Sequence, residues 1–331
     1  MRKKLGRILA TVLAAVLVLS QPATASALTP LTSDNFDSAR YAADYPDLAA
    51  VFGADHAALW SHYENFGSKE GRRVYTTSGD EGYIFTKETF DFIRYADENL
   101  DLKAVYGYDR ESLWNHFINH GAGEGRRAFT RTDAAGIDVS SYQGEINWGA
   151  VKRAGIDYAV IRLGYRGSET ARIVRDARFE QNIRGAINAG LRVGIYFVTQ
   201  AVNDAEAREE ANYCLNAVAG YGLAMPIFVD VEGSGGGRGD KIDRGTRTRV
   251  LKTFCQTVTA GGRLAGVYAS KKWMTDNIDM QQLTQYSIWL AQYYHEKTWT
   301  QTRVDAWQFT SSGNVPGIAG RVDMNRIYVL W

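Results

Sequence analysis

Cysteine and proline are scarce in this chain of 331 residues, which has two cysteines and five prolines. Two cysteines are too few for a small scaffold that is held together by disulfides. Five prolines, together with 45% hydrophobic and 12% aromatic residues, argue against bulk disorder and indicate a globular chain with a sizeable core. Because domains cluster at roughly 100 to 150 residues, two or more folded units are expected.

The chain also lacks a strong charge of either sign, since its formal net charge at pH 7 is only +1. Proteins that bind nucleic acids usually carry a clustered basic surface, so we expect no nucleic-acid partner. The glycine-rich segment 233–239 lacks the Lys-Ser/Thr pair of a phosphate-binding loop. No cysteine lies at metal-ligand spacing from His62 or His116, and both are interpreted as structural residues. We therefore expect neither a cofactor nor a metal.

An apolar run near the N-terminus, Ile8 to Leu19, is too short to cross a bilayer, which takes about 20 residues. Four basic residues precede this run, and Ala25-Ser26-Ala27 follows it as a small-residue cleavage site. This order predicts a removable secretory signal peptide at 1–27, with an uncleaved anchor as the alternative. The protein is therefore expected to be secreted, extracellular or associated with a cell wall, with no membrane span after signal removal.

The two cysteines, Cys214 and Cys255, both lie in stretches with a helical pattern. Export would permit a disulfide between them. Two buried free thiols are equally compatible with the sequence, because a large core does not depend on a cross-link.

A repeat with a period of 54 residues occupies the N-terminal part, where residues 36–74 align without gaps on residues 90–128. Apolar residues recur within each copy at spacings of three, four or seven, which predicts short amphipathic helices. We expect two small helical modules, at 28–79 and 80–133. The repeated Trp60 and Trp114 are interpreted as core residues, and the repeated histidines as hydrogen-bonded structural residues.

From residue 134 onward, apolar strand-like runs alternate with helical stretches, which is the pattern of an α/β fold with a parallel sheet. The predicted strands are 137–139, 158–163, 192–197, 226–232, 264–268, 287–291, 304–309 and 326–329. The predicted helices between the early strands are 176–189, 204–219 and 246–260. A full eightfold barrel usually takes about 250 residues. The shorter segment 134–331 therefore predicts an incomplete (β/α) barrel of about five β/α units followed by three strands.

Acidic residues fall at the strand ends that should face the mouth of this barrel: Asp138 in the first strand, and Asp230 and Glu232 in the fourth. Because strand side chains alternate, Asp230 and Glu232 should project to the same side, about 6.5 to 7 Å apart along the backbone. Glycoside hydrolysis uses one carboxyl to protonate the leaving oxygen and a second to stabilise or capture positive charge at the anomeric carbon. An isolated Asp-x-Glu is usually solvated or salt-bridged, but carboxylates at the end of an apolar strand favour a functional site.

Six segments in the second half of the chain then resemble, in the same order, the motifs of the lysozymes of glycoside hydrolase family 25. These segments are 136–144, 194–197, 228–232, 266–268, 307–313 and 322–325. The resemblance covers Gly136 to Trp331 and implies a flattened, incomplete β/α barrel with N-acetylmuramidase activity.

Carried over by position, the resemblance implies that Glu232 is the general acid and Asp230 its neighbouring carboxylate, with Asp138 and Asp323 as supporting acids of the cleft. Three further residues fall where sugar contacts are expected, namely Tyr196, Tyr268 and Gln308. The alternatives are that Asp323 is a turn residue ahead of the last strand and that the tyrosines belong to the barrel core.

The sequence therefore predicts a secreted, monomeric hydrolase that cleaves the β-1,4 bond between N-acetylmuramic acid and N-acetylglucosamine in the glycan strands of peptidoglycan. One alternative is a chitinase-like hydrolase, although Pro226 to Val229 lacks the further aspartates that typically precede that enzyme's Asp-x-Glu. The other is a catalytically inactive cell-wall-binding or adhesive protein. The N-terminal modules resemble short repeats found beside secreted bacterial enzymes, so binding of other cell-wall polymers is a hypothesis.

Overall fold

The structure is a computed structural model of the chain, and it describes residues 29–84, 86–121, 123–293 and 297–329. The predicted signal peptide at 1–27 lies outside the described residues. In the described part, two small helical units precede a barrel. None of the helices described there is long and apolar enough to cross a membrane.

The two helical units have the same order of elements. The first contains α1 (Ser38–Asp44), α2 (Pro46–Phe52) and α3 (His56–His62), and the second contains α4 (Phe92–Glu98), α5 (Leu100–Tyr106) and α6 (Arg110–His116). Aspartates begin the first helix of each unit, because Asp37 and Asp91 accept hydrogen bonds from backbone N–H groups of α1 and α4. Two short strands, β1 (Thr29–Pro30) and β2 (Gly82–Tyr83), pair in parallel beside the first unit.

The repeated histidines and tryptophans have structural positions in both units. The Nδ1 atom of His62 lies 3.2 Å from the hydroxyl of Tyr41. The equivalent distance from His116 to Tyr95 is 3.1 Å. The repeated tryptophans are half-buried and pack against the cores of their units. These positions agree with the structural roles predicted from the repeat.

The barrel is built from residues that follow the second unit. Its strands are β3 (Ala134–Val139), β4 (Tyr158–Arg166), β5 (Ile173–Arg175), β6 (Arg192–Val198), β7 (Ile227–Asp230), β8 (Ala265–Ser270), β9 (Ser287–Ala291), β10 (Ala306–Gly313) and β11 (Val322–Ile327). Its helices are α7 (Trp148–Arg153), α8 (Phe179–Asn188), α9 (Asp204–Ala217), α10 (Arg244–Ala260) and α11 (Lys271–Asp276).

The nine strands form one sheet, and eight of them close into a barrel because β3 pairs with both β4 and β11. β5 is the additional strand, and it pairs only with β4 in the described register. β11 runs antiparallel to both of its neighbours, whereas the other strands of the closed barrel pair in parallel. Five β/α units are followed by β9, β10 and β11, so the predicted incomplete barrel is confirmed.

Several elements differ from the sequence prediction. The last strand spans Val322–Ile327 and not 326–329, so Asp323 is a strand residue and its interpretation as a turn residue is wrong. The fourth barrel strand ends at Asp230, two residues before Glu232. The short strand β5 and the short helix α11 were not predicted. In β11, polar residues that face the barrel interior alternate with apolar ones, which hides the strand from a search for apolar runs.

The predicted disulfide alternative is wrong, because Cys214 and Cys255 are both buried and free. They lie on α9 and α10, and the Sγ atom of Cys255 is 3.9 Å from the carbonyl oxygen of Gly266 on β8. Burial raises the pKa of the Cys255 thiol, which keeps it protonated and unreactive. The two thiols therefore act as small apolar core groups.

Candidate active site

Four carboxylates that are distant in the sequence line a single cleft of about 290 Å³ at the mouth of the barrel: Asp138, Asp230, Glu232 and Asp323. Asp138 lies near the end of β3 and Asp230 is the last residue of β7. β11 runs in the opposite direction, so its second residue, Asp323, lies at the same end of the barrel. Asp323 is the register partner of Asp138.

Glu232 reaches the cleft although β7 ends before it. The N–H of Val231 donates to the carbonyl oxygen of Tyr268 at 3.1 Å, so the ladder with β8 continues for one more hydrogen bond. Val231 is buried in the outer apolar layer of the barrel. The alternation of side chains therefore persists, and Glu232 lines the same cleft as Asp230.

Gln308 on β10 connects three side chains of the cleft. Its Nε2 donates to Asp138 Oδ2 at 2.9 Å. Its Oε1 accepts from the hydroxyls of Tyr268 at 2.9 Å and Tyr293 at 2.8 Å. Gln308 is only 2% exposed, so its amide is already engaged by protein groups. Its position orients Asp138 and Tyr268, and it also lines the cleft, so the sugar contact expected of Gln308 stays a prediction.

A second amide holds the same oxygen of Asp138. Asn325 on β11 donates from Nδ2 to Asp138 Oδ2 at 2.8 Å, and its Oδ1 accepts from Trp289 Nε1 at 2.7 Å. Tyr196, a predicted sugar contact, also lines the cleft, with its ring 6.1 Å from that of Trp289. The sequence prediction did not include Asn325 or Trp289. In the sequence, each could have been recognised as a polar or aromatic residue at an inward position of an otherwise apolar strand.

Arg162 on β4 is another cleft residue that the sequence analysis missed. Its Nε donates to Asp176 Oδ2 at 2.8 Å, and the guanidinium carbon lies 4.9 Å from the ring centre of Tyr142. Among the described residues that line the cleft, it is the only lysine or arginine. An arginine within the apolar strand 158–163 was the available signal. Arg162, which is ion-paired with Asp176, thus places a positive charge in the same cleft as the carboxylates.

Burial raises the pKa of every carboxyl in the cleft. It raises the pKa of Asp138, Asp230 and Glu232, and raises that of Asp323 to about 6. Repulsion adds to the effect, since Glu232 raises the pKa of Asp230 and of Asp323. Burial and mutual repulsion therefore both favour protonated forms within the cluster.

Two interactions oppose this trend at particular residues. The guanidinium of Arg162 lowers the pKa of Asp230, and hydrogen bonding by Tyr268 lowers that of Glu232. Across the described residues, no group of three or more His, Cys, Asp or Glu side chains is arranged to hold a metal ion.

The cleft continues on both sides of the carboxylates. A cavity of about 780 Å³ adjoins it at Tyr142 and Arg162, and one of about 650 Å³ adjoins it at Glu232 and Tyr293. The Tyr142 side chain is 85% exposed, so its ring is available to a ligand. The three cavities together form a groove that suits a chain-like ligand.

The closed barrel carries four acids at its mouth, which is the arrangement expected of a hydrolase that uses carboxylates. Residues 137–318 match the family described as "Glycosyl hydrolases family 25", and the chain belongs to this family. This finding agrees with the resemblance noted in the sequence.

Two named relatives and a solved structure are similar to more than half of the chain. The autolytic lysozyme of Clostridium acetobutylicum is 28% identical over 190 residues, which are 57% of this chain and 54% of that protein. Lysozyme M1 of Streptomyces globisporus is 27% identical over 227 residues, 62% of this chain and 72% of that protein. The crystal structure of a bacterial lysozyme from Streptomyces coelicolor is 25% identical with a TM-score of 0.51, covering 60% of this chain and 93% of that one. The chain thus spans about half the length of the clostridial relative.

Proposed function

We propose that this protein is a secreted muramidase that hydrolyses the β-1,4 bond between N-acetylmuramic acid and N-acetylglucosamine in peptidoglycan. The observation that carries this proposal is the convergence of Asp138, Asp230, Glu232 and Asp323 on one cleft. Membership of the family and similarity to proteins named lysozymes support the substrate. The groove on both sides of the cleft is consistent with a polymeric glycan.

In this proposal Glu232 is the general acid. Burial raises its pKa, which favours the protonated form that a general acid needs. It lies where the cleft meets the 650 Å³ cavity, within reach of a glycosidic oxygen that bridges the two spaces. Glu232 gives its proton to that oxygen as the glycosidic bond breaks, and later takes a proton from the attacking water.

Asp230 is the carboxylate that stabilises the positive charge that develops at the anomeric carbon. Its Oδ1 has no hydrogen-bond partner among the described protein atoms, and the charge of Arg162 opposes the rise in pKa that burial and the neighbouring carboxyls cause. The carboxylate either attacks the anomeric carbon or orients the acetamido group of the substrate for that attack. Asp138, held by two amides, and Asp323 line the same cleft, and when ionised they add negative potential that favours the cationic transition state.

The organisation of the whole chain is also proposed. Residues 1–27 serve as a signal peptide, 28–79 and 80–133 are helical repeats, and 134–331 form the hydrolase barrel. The protein acts as a monomer outside the cell or at the cell wall, and its repeats bind other wall polymers.

Glu232→Gln tests the general acid. We expect the rate of peptidoglycan hydrolysis to fall by about 10² to 10⁴-fold, because an amide cannot deliver the proton. Glu145→Gln is the matched control, since Glu145 is an exposed acid of the barrel that lines none of the three cavities, and it should stay within twofold of the unmodified protein. Circular dichroism verifies that both variants fold. Hydrolysis by Glu232→Gln at the unmodified rate would show that another group delivers the proton.

The choice of polymer separates this proposal from its alternatives. The protein should release reducing ends from peptidoglycan and few from chitin. A chitinase-like enzyme would prefer chitin, and a protein that only binds the wall would release none from either polymer.

A further inference from the structure

The helical layer around the barrel has a gap. A helix follows each of β3, β4, β6, β7 and β8, whereas no α-helix of the described residues follows β9, β10 or β11. Yet the outward-facing side chains of Trp307, Phe309 and Met324 on β10 and β11 are buried. They belong to the same apolar cluster as the core of the second helical unit. That unit, and not a crossover helix, covers this face.

The contact between the second unit and the barrel is specific. The ring of Tyr108 packs edge-on against Phe309 with 5.9 Å between centroids. The N–H of Tyr108 donates to the carbonyl of Asn314 at 3.1 Å, and the N–H of Arg110 donates to that of Ala154 at 3.1 Å. Backbone hydrogen bonds at two separate places fix the orientation of the unit.

Charged side chains join the same two parts. Arg326 points outward from β11 and its Nη1 lies 2.9 Å from Asp133 Oδ2 and 3.2 Å from Asp91 Oδ2. Asp91 is also the residue that caps α4. Arg131 pairs with Asp157 at 2.9 Å. Breaking a largely buried ion pair leaves an uncompensated charge, so these contacts resist separation.

The two helical units differ where the second one docks. Phe92, Ile93 and Tyr108 are buried. The residues 54 positions earlier are small and half-buried or exposed, namely Ser38, Ala39 and Ala54. The shared core is unchanged, because Leu59 and Leu113 are equivalent and both 0% exposed.

The first unit has an apolar core of its own. It contacts the second unit, for example through a hydrogen bond from Thr130 N to Ser68 O of 2.9 Å.

Strands β10 and β11, which the second helical unit covers, carry site residues on their inner faces. Gln308 precedes Phe309 on β10, and Asn325 precedes Arg326 on β11. Both amides hold Asp138. A shift of these strands would therefore move the carboxylate that they hold.

We propose that the second helical unit is the missing part of the helical layer of the barrel and positions Asp138 and Asp323. Residues 86–329 then form one domain that folds cooperatively and carries the activity, and the first helical unit is a separate module. The positioning role rests on the proposed function, whereas the folding role does not.

Leu113→Ala and Leu59→Ala in the full chain form a matched test, because both remove the same buried side chain from equivalent positions. Hydrogen exchange of 306–313 and 322–327 reports on the covered strands without any need for activity. Leu113→Ala should speed this exchange about tenfold and lower the melting temperature of the barrel by about 5–15 °C. Leu59→Ala should leave both unchanged. If Leu113→Ala leaves both unchanged as well, the second unit is an independent module and the proposal fails.

Tyr108→Ala is a second variant for the case in which Leu113→Ala does not fold. It gives the interface the alanine that the first unit has at the equivalent position, Ala54. We expect kcat to fall about tenfold with KM within twofold, and the pH profile of kcat to shift, because Asp138 and Asp323 move apart while the groove stays intact. Tyr106→Ala, in the same unit but exposed, is the control. A Tyr108→Ala protein with unchanged exchange, kcat and pH profile would overturn the proposal. If hydrogen exchange in the variants changes as expected but the unmodified protein has no activity, only the proposed function is contradicted.

Discussion

Gln308→Met is a sharp perturbation of the cleft, because one amide joins Asp138, Tyr268 and Tyr293. Methionine is unbranched and of similar length, so the substitution removes the hydrogen bonds and leaves little cavity. A hydrogen bond to a charged group contributes about 1.5–3 kcal/mol and one between neutral groups about 1 kcal/mol. The loss of all three should therefore lower the free energy of unfolding by about 4 kcal/mol.

Urea unfolding followed by tryptophan fluorescence measures this loss, and the melting temperature should fall by about 8–16 °C. Gln282→Met is the control, since Gln282 is exposed and its Nε2 donates only to Asp279, at 2.8 Å, in the described contacts. The control should change stability by less than about 0.5 kcal/mol. A loss below about 1 kcal/mol for Gln308→Met would refute the reasoning, because the amide would then not hold the cleft together.

Three further outcomes are expected. Burial raises the pKa of Asp323 from 3.8 to about 6, so ionisation destabilises the folded state as pH rises through this window. Asp323→Asn should therefore be more stable than the unmodified protein at pH 7 and equal to it below pH 4 in urea titrations, and equality at pH 7 would contradict the shift. Arg162→Met removes the charge that lowers the pKa of Asp230, so the acidic limb of the kcat/KM profile should move to higher pH, whereas Arg162→Lys should keep it in place. Cys214 and Cys255 should not react with a thiol reagent in the native protein and should both react in guanidinium, and an absence of thiols after unfolding would reveal a disulfide.

The parallel strands of the barrel were predictable because both of their faces are buried. Ile227 and Val229 face the outer layer and Phe228 faces the interior, so the run is apolar throughout. β11 escaped prediction because Asp323 and Asn325 occupy its inner face. Polar residues on the inside of a barrel reverse the pattern on which strand prediction depends.

The acids of the site were predictable from their places at strand ends, but the groups that hold them were not. Arg162 and Asn325 contact the cleft only because the barrel closes, which brings β4 and β11 to either side of β3. The packing of the second helical unit against the barrel could not be predicted from the sequence either. A self-comparison finds what two copies share, whereas the docked face consists of residues in which they differ, such as Phe92 and Tyr108.

The central claim is that the cleft cleaves one particular sugar linkage, and analysis of the new chain ends tests it most directly. Purified peptidoglycan is digested, the products are reduced with borohydride, and the reduced sugars are identified by mass spectrometry. The new reducing ends should be N-acetylmuramic acid, and Glu232→Gln should produce about 10² to 10⁴-fold fewer of them in the same time. New ends of N-acetylglucosamine, or cleavage of peptide bonds alone, would contradict this claim.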